Sequence, residues 1–124
     1  MLFLFQFKIN HRILGVRSLL FKMGISPNDI CGLCGNHCES LMHLFVECEH
    51  SNRLWLTLAT DLNITCNLNA FDNITKIFGY QHRTNFAEAL NTLLIIVRYH
   101  VFIKSKNKSI LSYIEVKKCS KRYI

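Results

Sequence analysis

The organisation of the chain depends on residues 30–48, which read ICGLCGNHCESLMHLFVEC. Four residues of metal-binding type stand in this segment with the spacing C-x2-C-x8-H-x4-C: Cys31, Cys34, His43 and Cys48. Zinc takes four tetrahedral nitrogen and sulfur ligands, and two cysteines separated by two residues can bind one ion where the backbone folds tightly. Gly32 and Gly35 permit such a fold. The segment therefore predicts one structural zinc ion held by a zinc knuckle.

The choice of four ligands has alternatives close by. Three further residues are within reach of the site: His37, Cys38 and His50. Cys38 is the first alternative among them. Cys66 and Cys119 are remote in sequence, and we expect a loop thiol and a tail thiol. A cysteine is often only a small buried apolar residue, but the glycines and the downstream histidine and cysteine favour zinc.

Apolar residues at steps of three or four predict a mainly helical chain. One stripe over residues 4–23 predicts a single first helix that ends at Gly24, and another over 41–47 predicts a short helix capped by Ser40. His43 and Cys48 lie about 500° apart around a helix, so the helix must end between them. Further helices are expected over 51–58, capped by Ser51, over 71–78, ending at Gly79, over 86–101, which should form the core, and over 110–117.

The fold class that follows is mainly α, a small helical domain with one zinc knuckle inserted after the first helix. At 124 residues the chain is about one domain long. Residues 1–62 should hold the helix and a CCHC-type zinc-binding region, and residues 63–124 a helical extension with a basic C-terminal tail, together one cooperative unit. No apolar run approaches the length of a membrane span, and no export signal is evident. We expect an intracellular protein of the nucleus or cytoplasm, not a secreted one, and no membrane partner.

The charge of the chain is +7 and is unevenly distributed. Residues 91–124 carry eight basic residues and one acidic residue, whereas residues 31–60 are acidic on balance. Three thiolates would more than cancel the charge of a zinc ion, so zinc should fold the chain without binding phosphate. The expected nucleic-acid contacts are basic residues of the first helix and the last third: Lys8, Arg12, Arg98, Lys104, Lys106, Lys108, Lys117, Lys118, Lys121 and Arg122. Arg17 adjoins the first group, and Tyr99, Tyr113 and Tyr123 are candidates for base stacking.

Catalytic signatures do not emerge from the sequence. Polymerases and nucleases cluster carboxylates around metal ions, but Asp29, Asp61 and Asp72 are isolated. The triplet at 37–39 matches the H-x-E of zinc deaminases, yet it follows the C-x2-C pair instead of preceding it. We therefore expect a protein that is not an enzyme and has no catalytic residues.

Residues 30–48, followed by Ser51 and Trp55, resemble the zinc-binding region at the C-terminal end of reverse transcriptases of non-LTR retrotransposons. The shared pattern is C-x2-C, then E-S/T-x2-H-L-F-x-E-C and a Trp; residues 7–14 and 20–25 are similar to the helix that leads into it. The resemblance covers about residues 5–60 and implies zinc ligation by Cys31, Cys34, His43 and Cys48, with Phe45 and Trp55 packed beside the site. It also implies a non-catalytic appendage, and the chain lacks the Tyr-x-Asp-Asp polymerase motif.

Two functions are compatible with these features. The first is a zinc-binding module that helps to bind RNA or DNA, either the element transcript or its target site. The alternative is a zinc-stabilised helical protein-interaction module that docks on a reverse transcriptase core or another partner. The mean hydropathy of +0.18 is high for a small domain and favours a partner surface in either case. Salt dependence distinguishes them, because phosphate binding weakens with salt and apolar docking does not.

Overall fold

The computed structural model describes residues 2–61, 73–79 and 85–123, apart from the side chains at 74, 85–87, 89, 122 and 123. Its elements, in chain order, are α1 (Leu2–Asn10), α2 (Arg17–Lys22), a π-helical turn (His43–Glu47), α3 (Glu49–Asp61), α4 (Asn73–Phe78), α5 (Asn85–Asn107) and α6 (Tyr113–Tyr123). Within these ranges the β structure is confined to an isolated antiparallel bridge between Ile30 and Cys38. The predicted mainly helical fold class is confirmed.

The stretch predicted as one helix over residues 4–23 folds as two helices. α1 ends in a Schellman motif: the Arg12 N–H donates to the Ile9 carbonyl at 3.0 Å, and the Ile13 N–H donates to the Lys8 carbonyl at 2.9 Å. Arg12 takes the left-handed conformation, with φ of 57°, that this motif requires. The break corrects the single-helix prediction.

The connection between α1 and α2 explains why the chain breaks there. Leu14 and Val16 lie in the connection and are buried, so the apolar stripe reaches the core from a turn as well as from a helix. α2 then ends as predicted at Gly24, which has a φ of 75°. The Ile25 N–H closes this second Schellman motif on the Leu20 carbonyl at 2.9 Å.

The core lies along α5, as the continuous apolar stripe predicted. Leu94, Val97 and Val101 are fully buried on this helix. They pack in one cluster with residues of α1, the π-helical turn, α3, α4 and α6. Burial of each such side chain stabilises the fold by roughly 1.5 to 3 kcal/mol. None of the helices in the described part of the chain is long and apolar enough to cross a bilayer.

Arg98 lies inside this core, with 2% of its surface exposed. Its guanidinium donates to Gln6 Oε1 at 3.0 Å and to the carbonyls of Thr75 and Lys76 at 3.5 and 3.2 Å. Those carbonyls belong to α4, whose C-terminal end carries partial negative charge and favours a cation. Burial lowers the pKa of Arg98 to about 10. Arg98 therefore holds α4 against α1 and α5, which corrects the prediction that it contacts nucleic acid.

Candidate metal centre

Four atoms of metal-binding type lie close together in the structure. The sulfur atoms of Cys31, Cys34 and Cys48 and a ring nitrogen of His43 all lie within 4.8 Å of one another. Tetrahedral zinc with bonds of about 2.0 to 2.3 Å separates its ligand atoms by about 3.3 to 3.8 Å. Cys34 Sγ already lies 3.4 Å from His43 Nε2, so small side-chain shifts complete the geometry. The three-sulfur, one-nitrogen set fits one structural Zn2+ ion.

A tight turn positions the first two ligands. The Gly35 N–H donates to the Cys31 carbonyl at 3.0 Å, with Gly35 at a φ of 70°, and the Leu33 N–H points at Cys31 Sγ at 3.4 Å. A backbone donor to sulfur stabilises the thiolate that a metal needs. The Ile30–Cys38 bridge closes the base of this knuckle and leaves Cys38 exposed, outside the group of four.

The π-helical turn brings the other two ligands together. The Cys48 N–H donates to the His43 carbonyl, five residues earlier, at 2.7 Å, and Cys48 itself is extended, with φ of −62° and ψ of 131°. A π turn holds more residues than an α turn, so positions five apart return to nearly the same side. The helix does end between the two ligands, as predicted. Ser40 caps it as expected, its hydroxyl accepting the His43 N–H at 3.0 Å.

α3 is fastened to the π-helical turn by two side chains. The Ser51 hydroxyl donates to the Leu44 carbonyl at 2.5 Å, and Trp55 Nε1 donates to the Phe45 carbonyl at 2.7 Å. Ser51 is thus buried inside α3, which begins at Glu49, and the prediction that it caps this helix was wrong. The two bonds satisfy carbonyls that the irregular turn leaves available. Phe45 and Trp55 are fully buried beside the site, as the resemblance implied.

A buried carboxylate beneath the knuckle joins three parts of the chain. Glu39 is 3% exposed and accepts the Arg17 backbone N–H at 2.8 Å, the Arg17 guanidinium at 3.2 Å and the Gly32 N–H at 3.2 Å. It also accepts the Ser105 hydroxyl of α5. A Cβ at Gly32 would lie 2.1 Å from the Ser105 carbonyl oxygen, so only glycine fits there. In the sequence Glu39 is only one residue of the motif and Arg17 adjoins a basic group, so neither position indicates this buried pair.

Two of the cysteine side chains of the site interact directly with each other. Cys31 and Cys48 are buried and share a side-chain hydrogen bond, which with burial raises the pKa of Cys31 above its ordinary range. The same bond lowers the pKa of Cys48 to about 7. The shared bond therefore favours the thiolate at Cys48 over Cys31, and a bound metal would displace the protons of the remaining thiols.

The basic residues predicted to bind nucleic acid differ in their surroundings. Lys104 and Lys117 form salt bridges, with Glu115 at 3.0 Å and with Asp61 at 3.5 Å. Six others are exposed, and none of the salt bridges in the described ranges includes them: Lys8, Arg12, Lys106, Lys108, Lys118 and Lys121. The side chain of Arg122 lies outside the described residues, as does Cys66.

The three tyrosines predicted to stack on bases also differ in their surroundings. The Tyr113 hydroxyl donates to Asp61 at 2.6 Å, and burial raises the pKa of Tyr113 above its ordinary range. Tyr99 packs edge-on against Phe5, with ring centroids 5.2 Å apart. The side chain of Tyr123 lies outside the described residues. The structure thus gives Tyr99 and Tyr113 packing roles within the fold.

Residues 2–55 match the family model described as zinc-binding in reverse transcriptase. The matched stretch spans α1, α2, the knuckle, the π-helical turn and part of α3, and it includes all four ligands. This match confirms the resemblance seen in the sequence for residues 2–55. Searches of curated proteins and of solved structures found no match.

Proposed function

We propose that the chain is a non-catalytic module in which zinc shapes the fold and exposed cations bind the backbone of RNA or DNA. The observation that carries the proposal is that six of the cations predicted to bind nucleic acid are exposed and outside the salt bridges of the described residues. They lie on α1 and the turn after it, at the C-terminal end of α5, and on α6. Lysine and arginine side chains that neutralise phosphates give tight, salt-dependent and weakly sequence-specific binding.

The charge of the metal centre supports this division of roles. Three thiolates and a neutral imidazole around Zn2+ leave a net negative group, which disfavours a bound phosphate. Cys31, Cys34, His43 and Cys48 would supply all four ligands of a zinc ion, as in structural zinc sites, and would leave no open position for a substrate. In this proposal the nucleic acid is the transcript or the target site of a retroelement, and the protein acts in the nucleus or cytoplasm.

Binding of the zinc-loaded full chain to fluorescein-labelled 20-nucleotide RNA and DNA, measured by anisotropy at several salt concentrations, tests the proposal. Affinity should fall steeply with salt, and Lys106→Gln with Lys108→Gln should lower the slope of log K against log salt by roughly 1.4 on a single strand. Lys117→Gln, which removes a lysine already paired with Asp61, is the matched control and should change the slope less. Absence of binding at low salt would refute the proposal.

A second function, docking on a reverse transcriptase core, is favoured by exposed apolar side chains. Met23, Ile25 and Ile110 are all well exposed. Exposed apolar side chains mark a protein interface where they form one patch. Binding to a reverse transcriptase core that tolerates salt, together with no affinity for oligonucleotides, would support this alternative.

A further inference from the structure

α1 carries apolar residues on two opposite faces, of which one is buried. Phe5 and Ile9 point into the core. Phe3 is 85% exposed and Phe7 is 45% exposed, and both lie on the solvent side with the exposed His11 in the turn that follows. The core explains the first face of the helix and leaves the second unexplained.

The solvent face is aromatic at regular intervals. Phe3, Phe7 and His11 are spaced four residues apart, about one helical turn or 6 Å of rise. The rings of Phe7 and His11 are 4.2 Å apart between centroids and tilted by 42°, so they form one continuous platform. Each of the last two rings is followed directly by a cation, Lys8 or Arg12, and both cations are exposed.

The charges around this platform select its partner. Residues 1–28 contain no aspartate or glutamate, and Lys8 and Arg12 take part in none of the salt bridges in the described ranges. A surface that combines flat rings with unbalanced positive charge is complementary to unpaired bases joined by phosphates. Bases inside a duplex are already stacked on their neighbours, so only unpaired bases can stack on these rings.

We propose that the exposed face of α1, formed by Phe3, Phe7, His11, Lys8 and Arg12, binds single-stranded nucleic acid by stacking bases on its rings and pairing phosphates with its cations. This inference rests on the proposed function and names the surface and the form of nucleic acid. The cations of α5 and α6 could bind phosphate without it, so the two proposals can fail separately.

The first test compares Phe3→Ala/Phe7→Ala with wild type in the zinc-loaded full chain, on a labelled 20-nucleotide oligouridylate and on a 20-base-pair duplex. Base stacking is worth about 1 to 3 kcal/mol per base, so the double variant should bind the single strand at least tenfold more weakly. Its salt slope and its duplex affinity should not change. Phe21→Ala removes a phenylalanine of similar exposure, 48%, from α2 and should behave as wild type.

Two further variants protect the test against a folding defect. Phe7→Trp keeps a ring and should retain affinity, and its indole fluorescence should be quenched by the oligonucleotide, whereas the buried Trp55 of the wild type should not respond. Lys8→Gln/Arg12→Gln should make the dependence of log K on log salt for the single strand less steep, by roughly 1.4 in slope.

The outcomes separate the two proposals. If wild type binds neither oligonucleotide, the proposed function fails. If wild type binds with a salt-dependent affinity that Phe3→Ala/Phe7→Ala leaves unchanged, or that falls equally for duplex and single strand, the inference fails and the proposed function stands. If the exposed face of α1 docks on a protein instead, the oligonucleotide affinity should be unchanged in Phe3→Ala/Phe7→Ala.

Discussion

At the scale of single residues, we expect the four candidate zinc ligands to stabilise the N-terminal half strongly. Structural zinc contributes on the order of 10 kcal/mol or more to small metallo-domains. Cys34→Ser should therefore abolish zinc binding and unfold residues around the knuckle, as measured by zinc stoichiometry and circular dichroism. Cys38→Ser is the matched control, because Cys38 is exposed and outside the group of four. Loss of zinc in Cys38→Ser with retention in Cys34→Ser would contradict this ligand set.

Glu39 is the residue whose replacement tests the link between the knuckle and α5. Glu39→Gln keeps the shape but leaves Arg17, which is largely buried, without its counter-charge. Breaking such a pair costs about 3 to 5 kcal/mol when fully buried, and we expect roughly 2 to 3 kcal/mol here. Urea denaturation of the zinc-loaded chain measures it. Glu49→Gln, at an exposed pair with Arg53, should cost less than about 0.5 kcal/mol; equal costs would refute the role of Glu39.

At the scale of elements, the π-helical turn brings two of the candidate zinc ligands to the same side of the chain. His43 and Cys48 could not bind one ion from a regular helix, and the wide turn places them together. The carbonyls it leaves available are bonded by Ser51 and Trp55 of α3. The ligand-bearing turn and the helix that follows it are therefore joined directly, which explains the spacing of the serine and tryptophan after the last cysteine.

The packing of α6 on α5 should depend on pH. His100 Nε2 on α5 accepts the Ser112 N–H at 3.0 Å, which requires a neutral ring, and burial and the nearby Lys104 lower the pKa of His100 despite the opposing effect of Glu115. A lowered pKa means that this stabilisation is complete above about pH 6.5 and is lost as pH falls through the folded-state value. The exchange rate of the α6 amides, corrected for the intrinsic rate at each pH, should rise as the pH falls from 7 to 5.

A non-titrating variant checks that assignment. His100→Gln can still accept the Ser112 N–H and has no proton to gain, so exchange in α6 should lose most of its pH dependence after correction for intrinsic rates. Loss of zinc at low pH affects both proteins alike, which makes the comparison between them the informative measurement. An identical pH dependence in both would contradict the role of His100.

For the whole molecule, zinc removal should reach beyond the knuckle. Glu39 bonds the knuckle to α2 and α5, and the ligand-bearing turn packs on the core through Leu44 and Phe45. A chelator should therefore lower the circular dichroism signal at 222 nm by more than the knuckle and π-helical turn could contribute. Zinc, and not magnesium, should restore it, because magnesium prefers oxygen ligands. A signal indifferent to the chelator would contradict a structural zinc ion.

The division of the chain at residue 62 also belongs to this scale. Residues from both sides of it enter one buried cluster, for example Trp55 and Val97. The expectation that the two parts unfold as one unit remains a prediction, which thermal unfolding followed by near-ultraviolet and far-ultraviolet dichroism can check.

The sequence by itself determined the features that depend on near neighbours. Ligand spacing, the helix stop at Gly24, the cap at Ser40 and the helical periods are local, because each is set by residues within a few positions of one another. Tertiary structure alone decided the break after Asn10, the π-helical turn and the burial of Arg98. Those features satisfy contacts between residues far apart in the chain, such as Arg98 with α4 and Glu39 with Ser105. The sequence does not distinguish a basic residue whose charge faces solvent from one whose charge faces a buried helix end. The packing of the helices decides between the two environments.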